Sequence, residues 1–516
     1  MKNILWVFLF TTLSTTVAAS NPDYDVEEII VVGAYIVEGR ADAEYDDNLL
    51  ESIMPTKSYV AGGPGAFQGI MLNGTDTKHT AVYKNGVPVN DPSSGWFDFG
   101  TELISGQNTK LISGPNSVQF GSGSMAGVVL IDDDLSIRET IIKGANDKAY
   151  FFTSLEGLQL IHYKGTNGSA RSDNTEEDWY ENTTLKFGGD VNDWIIRGEF
   201  TDYTYDYDNC WTETPNNCVQ DGEKTFFSAR NNKVTLGYMG NEATHNTGFE
   251  LDTERFYLDA TVYEAYGMKV GITGQKETYN ELDRDIGSVW FTWTDDRGVS
   301  VGLRYEDDAE IIRVGYENDD VKVSVGNSYR RPNLYEENGD DWVAANPNLL
   351  PEEGIGAEVT WNKFSVFYNE FSEGIEFDMS AYQYVNTGSY DAHGVKYMNQ
   401  WLMDTGSIFF STVYTQTDKI RVPDWMTKIS YWTAGTIGGM TWTGEIAYIS
   451  ELNKGKDFDG REIDDVDNFD IRWSIEPAPR HTVMFAINDV FDNNFEVLPD
   501  YPAGGREFSL SYRVSY

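Results

Sequence analysis

Beyond its first twenty residues the chain contains no apolar run approaching the ~20 residues that a membrane-crossing helix needs, which excludes a bundle of spanning helices. Basic residues are scarce: 38 Lys and Arg stand against 83 Asp and Glu, a formal net charge of −45. A field of that sign repels phosphates and excludes nucleic acid as a partner. Cysteine occurs only twice, as Cys210 and Cys218, in a polar stretch. No His lies near the pair and its spacing matches no common zinc motif, so in an exported chain it reads as a loop-stapling disulfide, with a redox or metal pair as the rival. Catalytic patterns are missing too: neither Gly-x-Ser-x-Gly nor His-Glu-x-x-His occurs. In so acidic a chain, paired carboxylates carry no information, and an enzyme is not expected. Proline is sparse at 15, whereas Gly (49), Tyr (31), Phe (27) and Trp (14) are abundant, a composition for strands and tight turns.

Lys2, the apolar stretch Ile4 to Phe10 and the small residues of Val17-Ala18-Ala19-Ser20 mark residues 1–19 as a secretory signal. From about Ser136 onward, stretches of alternating apolar and polar residues recur between short polar turns. Phe508, Leu510, Tyr512, Val514 and Tyr516 share one face of the last stretch, and Ser509, Ser511, Arg513 and Ser515 share the other. One face suits lipid and the other water. A soluble sandwich also alternates, but roughly 22 such stretches fit in residues 136–516, too many for one sandwich and suited to a large plugged barrel. Trp290, Trp293, Trp361, Trp425, Trp432 and Trp473 sit where an interfacial girdle would place them. The longer connections, around 165–181, 207–223, 330–353 and 451–467, should lie on the outer side. Residues 36–135 lack the alternation and are punctuated by glycine, as in a compact mixed α/β domain. The reading is therefore an all-β transmembrane barrel of about 22 antiparallel strands with an N-terminal domain inside its lumen.

Three stretches resemble the TonB-dependent outer-membrane receptor family. Glu28-Ile29-Ile30-Val31-Val32, within the leader 20–35, looks like a TonB box, a β-prone segment able to add as a strand to a periplasmic partner; a buried first strand would look the same. Asn85-Gly86-Val87-Pro88-Val89-Asn90 is similar to the family's "DGVPVN" turn, and the run from Ile112 to Val129, with Gly114, Pro115, Gly121 and Gly127, follows its "RGPxSxxYGSGAxGGVV" pattern. Asn488 to Phe495 resembles "NLFDxxY", Gly505-Arg506 its "GR", and Tyr516 the terminal aromatic read by the barrel assembly machinery. The chain length, the pattern around 331–353 and Tyr384-Val385-Asn386 followed by Gly394-Val395-Lys396 look most like the cobalamin-receptor and small siderophore-receptor branch. The sequence departs from the family at Leu72-Asn73-Gly74, in place of "IRG", and at Asn85-Gly86, in place of "DG". These departures put the usual plug salt bridges in doubt.

The resemblance implies active import of a scarce small-molecule ligand, with TonB, ExbB and ExbD as energy partners. It also implies residence among outer-membrane lipid and lipopolysaccharide in a Gram-negative cell. A passive porin and a surface signalling receptor are the rivals. No cofactor is expected, apart from a structural calcium at Asp457, Asp459 and Asp464, where a solvated acidic loop is the alternative.

Overall fold

The computed structural model describes residues 36–41, 57–60, 67–102, 107–146, 148–166, 178–207, 218–307, 309–452, 455–457, 460–493, 495–499, 501–502 and 505–516. Twenty-two strands form a closed barrel in which sequence neighbours pair antiparallel. Closure joins the last strand, Glu507–Ser515, to the first, Glu139–Ala145, with Tyr512 opposite Ile142. Closure leaves no free edge, the condition for a sheet to sit in lipid.

Alternation along each strand sets the two faces. In the closing strand Phe508, Leu510 and Tyr512 are exposed while Ser509, Ser511 and Arg513 are buried, as the sequence pattern requires. Val299–Glu306 and Phe364–Ser372 behave alike, with Leu303, Tyr305, Phe364, Val366 and Tyr368 outward. The girdle assignment needs correcting at two places. Trp290 is buried on the lumen side, its indole N–H donating to Asp259 at 3.0 Å. Trp432 shares the inward parity of Met426, Lys428 and Ser430. Trp361, Trp425 and Trp473 do face outward.

The two rims differ. Every connection at one rim has two to four residues, such as Asn192-Asp193, Tyr266-Gly267 and Asn362-Lys363. At the other rim lie all the long ones: the four expected there, plus 373–389, 418–424 and 489–506. Connection 331–351 carries the short helix Leu334–Asn338, which Asn333 and Glu336 cap reciprocally. Connection 373–389 carries the hairpin Ile375–Asp378 and Gln383–Asn386.

The N-terminal domain is a five-stranded sheet in the order Ile36–Ala41, Gln107–Ser113, Gly127–Asp133, Thr80–Lys84, Val87–Pro88, parallel only between Thr80–Lys84 and Gly127–Asp133. Its apolar cluster, including Val82, Ile112, Val128 and Val129, continues into Phe226, Met239 and Tyr257 of the barrel wall. One hydrophobic cluster thus spans both parts of the chain.

Candidate functional site

Asn85 and Gly86 adopt positive φ (48° and 84°), so this Asn-Gly pair makes the tight hairpin between Thr80–Lys84 and Val87–Pro88. The turn aims Lys84 at the barrel wall. Its ammonium lies 2.6 Å from Glu199 and 3.2 Å from Glu102, while Lys186 of the wall lies 3.0 Å from Asp133. Asn85 donates to Asp133 at 2.6 Å and accepts from its backbone N–H at 3.0 Å. Burial would raise the Asp133 carboxyl, but Lys186 and Lys84 outweigh it and hold the group below the ordinary carboxylate range. For Glu102 burial is likewise outweighed, by Lys84 and Lys224, and its pKa falls to about 2. These groups are ionised at neutral pH and tie the inner domain to the wall.

A second network lies toward the long-loop rim. Lys78 contacts Glu336 at 3.3 Å and donates to the Ile375 carbonyl at 2.5 Å, touching both long connections at once. His79 is fully buried between Glu352 (Nε2 to Oε2, 2.7 Å) and Tyr390 (3.0 Å to Nδ1), stacked on Phe371. Burial lowers its pKa and outweighs the pull of Glu352. The ring is therefore neutral at pH 7, its Nε2–H donating to Glu352 and its Nδ1 accepting from the Tyr390 hydroxyl. Asn333 donates to the Ser94 carbonyl at 2.8 Å, and the backbone N–H groups of Leu334 and Tyr335 donate to Pro92 and Ser93. The inner domain and connection 331–351 form one hydrogen-bonded unit.

The departures from the family motifs have a structural answer. Ser113 occupies the arginine position of "RGP" and donates to Glu358 of the wall at 2.7 Å. The cation comes instead from the wall itself: Lys396 lies 3.1 Å from Glu358 and 3.2 Å from the Ser113 hydroxyl. Asn73, at the other missing arginine, is buried, at φ 52°, with its side-chain N–H₂ unpaired among the described residues. Gly127 is required by close packing, since a Cβ there would stand 2.5 Å from the Ile112 carbonyl. Gly114 faces Glu358, Pro115 packs on Gly356, and Gly121 (φ 72°) sits against Glu306 and Arg304. Val87 fills the gap at Gly237, Val89 is buried in the shared cluster, and Asn90 accepts from the Val82 N–H at 2.7 Å.

Above this interface five aromatic rings form a continuous cup that the sequence reading missed, because they come from three separate stretches. Tyr279 ends a barrel strand, Tyr335 lies on the short helix, and Phe377, Tyr382 and Tyr384 belong to the hairpin of connection 373–389. Neighbouring centroids are 5.2 to 6.1 Å apart and all pairs are edge-to-face: Tyr279 with Tyr335, Tyr335 with Tyr384, Tyr384 with Phe377, Phe377 with Tyr382.

Of the remaining expected positions, Glu28, Ile29, Ile30, Val31 and Val32 lie outside the described residues, as do Cys210 and Asp459. Cys218 is disulfide-bonded. Asp457 pairs with Arg461 at 3.3 Å, and Asp464 accepts from the Glu496 N–H. Among the described residues no three His, Cys, Asp or Glu side chains converge as a metal site. Tyr516 caps the closing strand, its N–H donating to the Arg138 carbonyl at 3.0 Å.

Residues 129–488 match the family model described as TonB dependent receptor-like, beta-barrel, and residues 31–128 match the TonB-dependent receptor plug domain. Among solved structures the chain is similar to the siderophore receptor PirA from Acinetobacter baumannii, at 12% identity and a TM-score of 0.66, covering 89% of this chain and 94% of that one. A mutant ferric enterobactin receptor, PfeA, from Pseudomonas aeruginosa in complex with enterobactin gives 12%, 0.69, 89% and 95%. The ferric yersiniabactin uptake receptor FyuA from Yersinia pestis gives 12%, 0.66, 94% and 98%.

Proposed function

Because the chain belongs to the TonB-dependent receptor family, an outer-membrane family of plugged barrels, we propose that it captures a scarce metal chelate of the siderophore type and imports it actively. The observation that carries this reading is the plug's attachment. Plug side chains and backbone bond to wall residues from Lys186 round to Thr417, so the lumen is occupied and a passive pore is disfavoured. Opening such a barrel requires work, and the outer membrane has no nucleotide to supply it. TonB, driven by ExbB and ExbD, would pull on Glu28 to Val32. The wide family of solutes includes cobalamin; the solved structures named above favour an iron chelate. Insertion by the barrel assembly machinery through Tyr516, and contact of the exposed wall with lipopolysaccharide, complete the reading.

The test is uptake of radioiron chelates by a strain lacking the chain. Uptake should be lost, return with the chain, and be abolished by a protonophore. Equal uptake with and without the chain would remove this reading.

A further inference from the structure

The cup lies at the rim of long connections, which the uptake reading turns outward, and its chemistry is one-sided. Connections 331–351 and 373–389 carry seven carboxylates, Glu336, Glu337, Asp340, Asp341, Glu373, Glu376 and Asp378, against one cation, Arg331. The cations around the cup are already engaged. Arg284 donates to Glu277 at 2.7 Å and to Glu337 at 3.3 Å, and Arg331 to Glu306 and Asp307. Arg330 and Lys78 both bond Glu336, and Lys419 lies 2.8 Å from Glu376.

The carboxylates at the tip are not matched in this way. Asp340 accepts the Tyr335 hydroxyl at 3.0 Å and the backbone N–H groups of Trp342 and Val343, yet neither it nor Asp341 has an ion-pair partner among the described residues. Trp342, 85% exposed, follows them directly. Burial and then Asp340 push the Tyr335 hydroxyl well above its usual range, and burial and then Glu336 push that of Tyr384 up to about 12. Both phenols stay neutral at pH 7, so they offer ring faces and edges and no phenolate to compete for a chelated metal.

We propose that this cup selects a small metal chelate of net positive charge with flat apolar faces, and rejects polyanionic chelates. Aromatic faces attract a cation through their quadrupole, and unmatched carboxylates add a field of the same preference. A polyanion would meet like charge, and the described cations beside the cup are already engaged, a mismatch that costs several kcal/mol at an interface. The inference rests on the uptake reading above and narrows its ligand.

The experiment titrates the full chain in detergent, by calorimetry, with two iron complexes. One is a linear ferric trihydroxamate bearing an ammonium, a monocation; the other is a ferric tris-catecholate, a trianion. At low ionic strength the monocation should bind at least about tenfold tighter, and the advantage should shrink in high salt. Asp341→Asn, a change at an exposed side chain, should weaken the monocation and favour the trianion; the double change with Asp340→Asn should do so further. Equal or tighter binding of the trianion, binding of neither complex, or indifference to both substitutions would overturn the inference. If the trianion binds and is imported in a protonophore-sensitive way, the charge rule falls while transport stands. If the monocation binds but is never imported, the cup stands and the transport reading falls.

Discussion

Lys84 is the shortest cation contact of Glu199, at 2.6 Å, and shares Glu102 with Lys224, so its removal would leave buried Glu199 with only Lys186, 3.8 Å away, among the described residues. Breaking a buried pair from one side costs about 3–5 kcal/mol, so Lys84→Met should loosen the plug and raise ion conductance in planar bilayers without unfolding the barrel. Acid should act through the same network. Glu102 has an ordinary pKa of 4.5 and a folded pKa of about 2, so its contribution is complete above 4.5 and lost as pH falls toward 2. Conductance should rise within that window, and Glu102→Gln should raise it at neutral pH and flatten the rise. A closed wild-type channel at pH 2 would refute the assignment. Ser113 and Lys396 allow a sharper test, because the cation that serves Glu358 comes from the wall. Lys396→Met alone should destabilise the plug, and adding Ser113→Arg should restore it by supplying the charge from the plug side, read as recovered closure in the same bilayers. If the double variant is no better than the single one, Glu358 does not need a cation at this place.

Strands were the most legible elements, because a period of two survives without knowledge of partners. The closing strand shows this: its exposed and buried residues fall on the two faces that the sequence assigns, and Leu510, near its middle, is 58% exposed. An arginine at a lipid-facing midplane position costs about 2–4 kcal/mol, so Leu510→Arg should lower the yield of heat-modifiable folded barrel while Leu510→Phe should not. Similar yields for the two would mean that this face does not meet lipid. Aromatic content without parity proved a poorer guide. Crowding of aromatics at strand ends points Trp290 and Trp432 to the girdle, whereas their parity turns them inward. The Asn85-Gly86 turn was legible through its likeness to the family's motif. The Ser113–Glu358 contact was not, since its partners are 245 residues apart and meet only once the barrel has closed. The cup was hidden for the same reason, being assembled from three stretches by two connections that fold over the plug.

At the scale of the whole molecule, the plug is fastened unevenly, and the order of fastening bears on how it could open. Its first described strand, Ile36–Ala41, lies at a sheet edge and among the described residues pairs on one side only, through six register partners from Ile112 to Gln107. The next strand inward, Gln107–Ser113, ends on the residue that bonds Glu358. A pull on residues 28–32 would therefore load the edge strand first and the Ser113 contact next, leaving the Lys84 and Lys78 networks for last. Strand addition to TonB needs backbone N–H groups along the box, and proline removes one and disfavours the extended pairing around it. Ile30→Pro should thus abolish radioiron uptake while leaving chelate binding to purified protein, and bilayer closure, unchanged. The combination matters, because a variant that merely misfolded would lose binding and closure as well. Wild-type uptake by the Ile30→Pro chain would mean that energy enters elsewhere, and the sequence of release from the edge strand inward would lose its starting point.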